Sequence, residues 1–274
     1  DRGTETIGPS RRQLARGASE VDVVLLPVAC AAYREHVHDL RAGEQGTREK
    51  GGETVCGDDE VRVFLHVAAM NHYREVVAEL SGAITGSGLY DEASLLVCSI
   101  VGDGNVDGLL GEKWSVVRSG ELEQYEYPTI ELLRRDAMVN QDDFYLYVHT
   151  KGVTDSPVAP RASWRRYMSH FTIDRWRESV ANLADYDTVG TQIAGGRGWG
   201  HYAGNFWWAR GDFLASLPPC VKRRHGKCMR IWAEDWLTCS GRPPKTFNWM
   251  KVPNQGSNRW LAEHHTAESL YRGK

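Results

Sequence analysis

Four consecutive residues, His149, Thr150, Lys151 and Gly152, put an imidazole, a hydroxyl, a cation and a glycine side by side. A lysine ammonium is a compact point charge suited to an anion, and a glycine lets the backbone come close to one. Further along, Glu234 and Asp235 form an adjacent carboxylate pair, the residue type that takes a proton from a reacting hydroxyl. Between them lies Gly204-Asn205 followed by Phe206-Trp207-Trp208-Ala209. A Gly-Asn pair opening an aromatic strand suggests backbone held close to another group. Each cluster also has a plainer reading. The first is an ordinary polar turn, the tryptophans are core, and the carboxylates complement the dipole at a helix N-terminus.

The elements that must position these residues decide how far the chemical reading goes. Residues 144–148 are a continuous apolar and aromatic run, which predicts a strand buried on both faces and therefore central in a sheet. Ligands in open α/β sheets bind outside the carboxyl ends of the strands, so the chemistry belongs around His149 to Gly152. Residues 61–67 and 95–101 predict two further buried strands. Between them Tyr73, Val76, Val77, Leu80 and Ile84 mark an amphipathic helix, with Asn71 as its cap and Gly86 and Gly88 at its end. That is a parallel βαβ unit. Residues 113–118 predict another strand, and Pro128 opens a helix carrying Ile130, Leu133 and Ala137. Trp164, Tyr167, Met168 and Phe171 form one helical stripe, while Trp176, Val180 and Leu183 form a second out of phase with it, so a break capped by Asp174 is expected near residues 172–174. A short strand at residues 187–193, a glycine-rich loop around Arg197 and Trp199, and a helix starting close to Glu234 complete the pattern. It is that of an α/β fold with a single, mostly parallel central sheet.

Residues 1–20 are polar and rich in glycine and arginine, residues 21–28 and 29–40 could form a short strand and helix, and residues 41–59 read as a linker. The expected division is thus a lead-in over residues 1–59 and a Rossmann-like domain over residues 60–274. A net charge of -3 argues against a nucleic-acid binder, and no run approaches the roughly 18 apolar residues of a membrane span. The six cysteines contain no C-x-x-C pair. Cys98 reads as a buried thiol, and Cys220, Cys228 and Cys239 are close enough for a disulfide in an oxidising lumen. The chain begins at Asp1, so an upstream anchor could have been removed, and neither the cytoplasm nor a secretory lumen is favoured.

The βαβ units, the central strand, the Gly-Asn-aromatic strand and the Glu-Asp pair resemble a GT-A type glycosyltransferase. The His149-Thr150-Lys151-Gly152 and Gly204-Asn205-Phe206-Trp207-Trp208-Ala209 motifs, with Trp164-Arg165 and Glu234 with Trp236, resemble a group of uncharacterised glycosyltransferase-like proteins that carry them. The resemblance covers about residues 60–240. It implies a nucleotide-sugar donor as co-substrate and a glycan or other hydroxyl as acceptor. His66, Ala68, Asp103, His149, Thr150, Lys151, Gly152 and Arg165 would serve the donor. His201, Gly204, Asn205, Trp207 and Trp208 would serve the acceptor sugar, with one tryptophan ring stacked on it. Asp235, and after it Glu234, would be the catalytic base.

One departure stands out. The GT-A pattern places an acidic Asp-x-Asp motif for a divalent metal after a central strand, and this chain has His149, Thr150 and Lys151 there. Asp142 and Asp143 precede the strand and belong at its other end, which leaves Asp103 and Asp107 as the remaining acidic candidates. A lysine can neutralise a departing diphosphate in the metal's stead, so the expectation is transfer without a metal. The competing readings are a carbohydrate-binding or scaffold protein of the same fold, supported by the missing Asp-x-Asp motif and by ten tryptophans, and a metal-dependent hydrolase using His66, His149 and His201.

Overall fold

A computed structural model of the protein describes residues 59–154, 159–194, 200–221, 229–239 and 242–249. The expectations for residues 1–58 and for the loop at Arg197 and Trp199 lie outside these residues, as does Cys228. The first strand, β1 (Val61–Ala68), leads through α1 (Tyr73–Gly86) and the short α2 (Leu89–Glu92) to β2 (Leu95–Val101). Then come β3 (Trp114–Gly120), α3 (Tyr127–Ala137) and β4 (Phe144–His149). The helical stretch that follows is α4 (Ala159–Ser169), a π-helical turn at His170–Asp174, and α5 (Trp176–Asn182). The remainder is β5 (Thr188–Gly190), β6 (Ile193–Ala194), β7 (His201–Tyr202), β8 (Trp207–Arg210), α6 (Gly211–Ser216), α7 (Met229–Cys239) and β9 (Thr246–Asn248).

Seven strands make one sheet in the order β3-β2-β1-β4-β8-β5-β9, and β6 pairs with β7 apart from it. β1 to β4 run parallel, β8 runs against both β4 and β5, and β9 runs with β5. Only β8 is therefore reversed within that sheet. This is the mostly parallel α/β sheet that the sequence predicts, with the 144–148 run at its centre. The consequence for function is geometric. The carboxyl ends of β1, β2 and β4 and the amino end of β8 meet at one edge, so Ala68, His149 and the Gly204-Asn205 turn are brought together.

Strand alternation sends side chains to two cores. Val63, Leu65, Leu96, Cys98, Leu146, Val148 and Trp208 pack against the Val76, Val77, Leu80 and Ile84 stripe of α1. On the other face Phe64, Val97, Tyr145, Tyr147 and Trp207 pack with Ile130 and Leu133 of α3, Phe213 of α6 and Trp236 of α7. Burying each such side chain stabilises the fold by roughly 1.5–3 kcal/mol.

Three local expectations need correction. Asn71 does not cap α1; it sits at φ 49, and its Nδ2 donates to the Val153 carbonyl at 2.6 Å, tying the β1–α1 loop to the turn after β4. The break between the two aromatic stripes is present as the π-helical turn, yet Asp174 pairs with His170 at 3.2 Å rather than capping α5. A π turn frees a carbonyl from the regular ladder, and that of Thr172 accepts the Trp208 indole N–H at 2.7 Å. Last, α7 begins at Met229, so Glu234 and Asp235 lie in its second turn and not at its start. The hydrophobic run before Ala233 extends the helix, and Trp232 has no side-chain oxygen with which to cap one.

Candidate functional site

The turn after β4 is held from three sides. The Ala68 N–H donates to Thr150 Oγ1 at 3.0 Å, and the Thr150 N–H donates to the His66 carbonyl, so the hydroxyl of the motif serves to bind the ends of β1 and β4 together. Gly152 adopts φ +92, a left-handed conformation that disfavours any side chain. The Arg165 guanidinium, buried on α4, donates to the Lys151 carbonyl at 2.9 Å and forks onto Glu79 of α1 at 3.1 and 2.5 Å. Arg165, which the resemblance would have serve the donor, is thus turned inward onto Glu79 and the Lys151 carbonyl. It fixes the backbone that carries Lys151.

His149 is committed as well. Its Nε2–H donates to the Gly204 carbonyl at 2.8 Å, and its Nδ1 lies 3.7 Å from Glu126. The two sequence motifs therefore interlock. Gly204 at φ +85 has no room for a Cβ, which would meet Met168 Sδ and Trp164 Nε1, and Asn205 follows at φ 55. Asn205 Nδ2 donates to Glu126 at 2.5 Å, while its Oδ1 accepts the Trp207 indole N–H at 2.9 Å. Tyr147 donates to the same Glu126 oxygen at 2.7 Å and stacks on Trp207. Burial, with the Glu126 charge beside it, pushes the Tyr147 hydroxyl well above its usual pKa.

These contacts correct the acceptor-side assignments. Asn205 is 1% exposed and fully engaged, so it holds the turn rather than a sugar hydroxyl. Trp207 and Trp208 are 1% and 0% exposed on opposite faces of β8, and neither ring is offered to solvent. Adjacent strand residues point to opposite faces, and here both faces are core.

His66 is buried beside His149, its register partner on β4, and opposite Ser99 on β2. Its Nδ1–H meets Thr129 Oγ1 at 2.7 Å, Thr129 donates to Ser99 at 2.6 Å, and Ser99 shares a hydrogen with Ser119 at 2.7 Å. Burial lowers the His66 pKa to about 4; the Glu126 carboxylate works against that shift and His149 adds to it. A neutral imidazole tied into a hydroxyl chain positions the strand ends and holds no charge for a ligand. Asp103 lies exposed in the loop after β2, at the same edge of the sheet.

The partly exposed groups form a separate line. Lys151 Nζ stands 3.8 Å from Glu234 Oε1, the other Glu234 oxygen stands 3.7 Å from His201 Nε2, and His201 Nδ1 is 3.0 Å from Asp235 Oδ1. Only the last is a hydrogen bond by distance; the others are charge contacts. β7 supplies His201, the turn after β4 supplies Lys151, and Ala233, Trp236 and Leu237 anchor α7 in the core so that Glu234 and Asp235 face them. Cation, carboxylate, imidazole and carboxylate stand in sequence, a set able to neutralise a leaving anion and to move a proton.

Asp142 and Asp143 lie at the opposite edge, as the sequence predicts for residues ahead of β4, and Asp143 there forms a buried ion pair with Arg62. Cys98 and Cys220 are buried free thiols, Cys98 with its pKa pushed up to about 12 by burial. Among the described residues no group of three His, Cys, Asp or Glu side chains is set to hold a metal ion, and no helix is long and apolar enough to cross a membrane. Sequence reasoning missed Glu126, Thr129 and Glu79. An acidic residue directly ahead of the Tyr127-Pro128 helix start signals a cap, and nothing local signals that its carboxylate instead reaches across the sheet edge to Tyr147 and Asn205.

No protein-family model and no curated protein matches the chain. Among solved structures it is similar to Rv0371c from Mycobacterium tuberculosis H37Rv, at 16% identity and a TM-score of 0.35 over 77% of this chain and all of that one. It is also similar to HddC from Yersinia pseudotuberculosis, at 9% identity and a TM-score of 0.33 over 58% of this chain and 80% of that one. Likeness at this level carries no functional argument.

Proposed function

We propose that the chain is a glycosyltransferase that moves a sugar from a nucleotide-sugar donor to an acceptor hydroxyl, with its site at the carboxyl end of β4. The observation that carries this reading is the line of Lys151, Glu234, His201 and Asp235. A cation on a rigid turn stands beside proton-accepting groups at the edge where α/β sheets receive ligands. Lys151 neutralises charge building on the departing nucleoside diphosphate, and the Glu234-Asp235 pair serves the attacking hydroxyl. The turn does not fit a divalent ion in the place of an Asp-x-Asp motif. His149 Nε2 is spent on the Gly204 carbonyl, the Thr150 hydroxyl on the Ala68 N–H, and Lys151 itself is a cation. Trp207 and Trp208, being core, lend no support to the binding-module reading.

Calorimetry with UDP and GDP tests the proposal. A Lys151→Ala variant is expected to lose about 1.5–3 kcal/mol of binding to the preferred nucleotide, the size of a charged hydrogen bond. EDTA is expected to leave wild-type binding intact. Abolition of binding by EDTA, with Lys151→Ala unaffected, would overturn this use of the turn.

A further inference from the structure

The acidic pair and His201 do not face the solvent as equals. Asp235 Oδ1 accepts from His201 Nδ1 at 3.0 Å, which places the imidazole proton on Nδ1 and leaves the lone pair on Nε2. Nε2 lies 3.7 Å from Glu234 Oε2, too far for a hydrogen bond, so it keeps the capacity to take a proton. The side chains of His201, Asp235 and Glu234 are each between 15 and 29% exposed, open enough for a substrate hydroxyl to reach. His66 and His149 at this sheet edge are closed to that role: His66 is bound to Thr129 and His149 to Gly204.

Resting on the transferase reading above, we infer that the group accepting the proton is His201 Nε2, with Asp235 as the residue that positions it rather than as the base itself. The acceptor hydroxyl gives its proton to Nε2 as its oxygen forms a bond to the anomeric carbon. The bond from that carbon to the phosphate oxygen breaks, and its electron pair leaves with the nucleoside diphosphate beside Lys151. The imidazolium then stands between two carboxylates, Asp235 on one nitrogen and Glu234 near the other, and returns its proton to solvent after product leaves. Among the described residues these two from α7 are the charged groups facing His201. β6, paired with β7, brings only Ile193 and Ala194, and Lys151 stands beyond Glu234.

The arrangement predicts that three variants behave differently. Release of nucleoside diphosphate from UDP-glucose, UDP-galactose, UDP-N-acetylglucosamine and GDP-mannose, with water or a methyl glycoside as acceptor, is followed against pH. His201→Gln is expected to lose about 100-fold or more in kcat, the usual size of a general-base contribution, and to lose the acid-side fall in rate. Asp235→Asn is expected to keep that fall at a reduced kcat, because the imidazole remains but has lost the carboxylate that orients it. Glu234→Gln retains the fall. Nitrogen-15 spectra of the wild-type imidazoles, assigned through the His201→Gln variant, should show the Nδ1–H tautomer for His201, disturbed in Asp235→Asn. A near-wild-type rate and unchanged pH profile in His201→Gln, with Asp235→Asn inactive, overturns the assignment and makes Asp235 the base. A His201 resonance in the Nε2–H form also overturns it. If the wild type releases nothing from any of these donors, the transferase reading fails and takes the assignment with it, whatever the spectra show.

Discussion

Acid should weaken this fold through one histidine. His66 is buried neutral with its pKa lowered to about 4, mainly by desolvation, whereas a histidine in the unfolded chain titrates near its model value of 6.5. Below 6.5 the unfolded state binds a proton that the folded state refuses, so stability falls as pH drops from 6.5 towards 4 and levels off below it. A full separation of that size corresponds to about 3 kcal/mol, of which roughly 2 kcal/mol is lost by pH 5. Urea unfolding of wild type and His66→Gln between pH 8 and 4.5 isolates the effect, because every other titrating group is common to both proteins. The glutamine is expected to be the less stable protein at pH 8, where His66, Thr129, Ser99 and Ser119 form one hydroxyl chain, and the gap should narrow by about 2 kcal/mol at pH 5. Parallel curves for the two proteins would refute the reasoning and mean that His66 carries its proton when folded.

Gly204→Ala should destabilise the protein by about 1–3 kcal/mol, since a Cβ there meets Met168 Sδ and Trp164 Nε1 and sits at φ +85; thermal melting checks this, and an unchanged melting temperature would mean the turn is looser than drawn. Arg165→Ala should cost about 3–5 kcal/mol, towards the lower end because Glu79 is partly exposed, and should weaken UDP or GDP binding, since the Lys151 carbonyl loses its donor. Arg165→Lys, which cannot make the fork, should recover only part of both in urea unfolding and calorimetry.

Much of the fold is legible because it rests on burial patterns that one strand or helix carries by itself. Leu95–Val101 is apolar throughout and emerges as a strand with those bounds, and the phase slip between Trp164 and Trp176 marks the π turn. β9 is three residues long with no alternation to read, and α7 starts earlier than its carboxylates suggest. For the candidate site, placement is more legible than role. A central strand ending in a histidine and a lysine puts those residues at the carboxyl edge of the sheet. Which of those polar groups face outward depends on partners far away in the chain: Glu79 for Arg165, Glu126 for Asn205, Thr129 for His66 and Asp235 for His201. No local spacing encodes such pairs.

The transferase reading stands most directly on nucleoside diphosphate release from the nucleotide-sugar set, measured for wild type and Lys151→Ala in the presence of EDTA. Release by the wild type from at least one donor, reduced tenfold or more in Lys151→Ala at unchanged melting temperature, is the expected result. Absence of release from every donor, or release that the lysine variant matches, would contradict it.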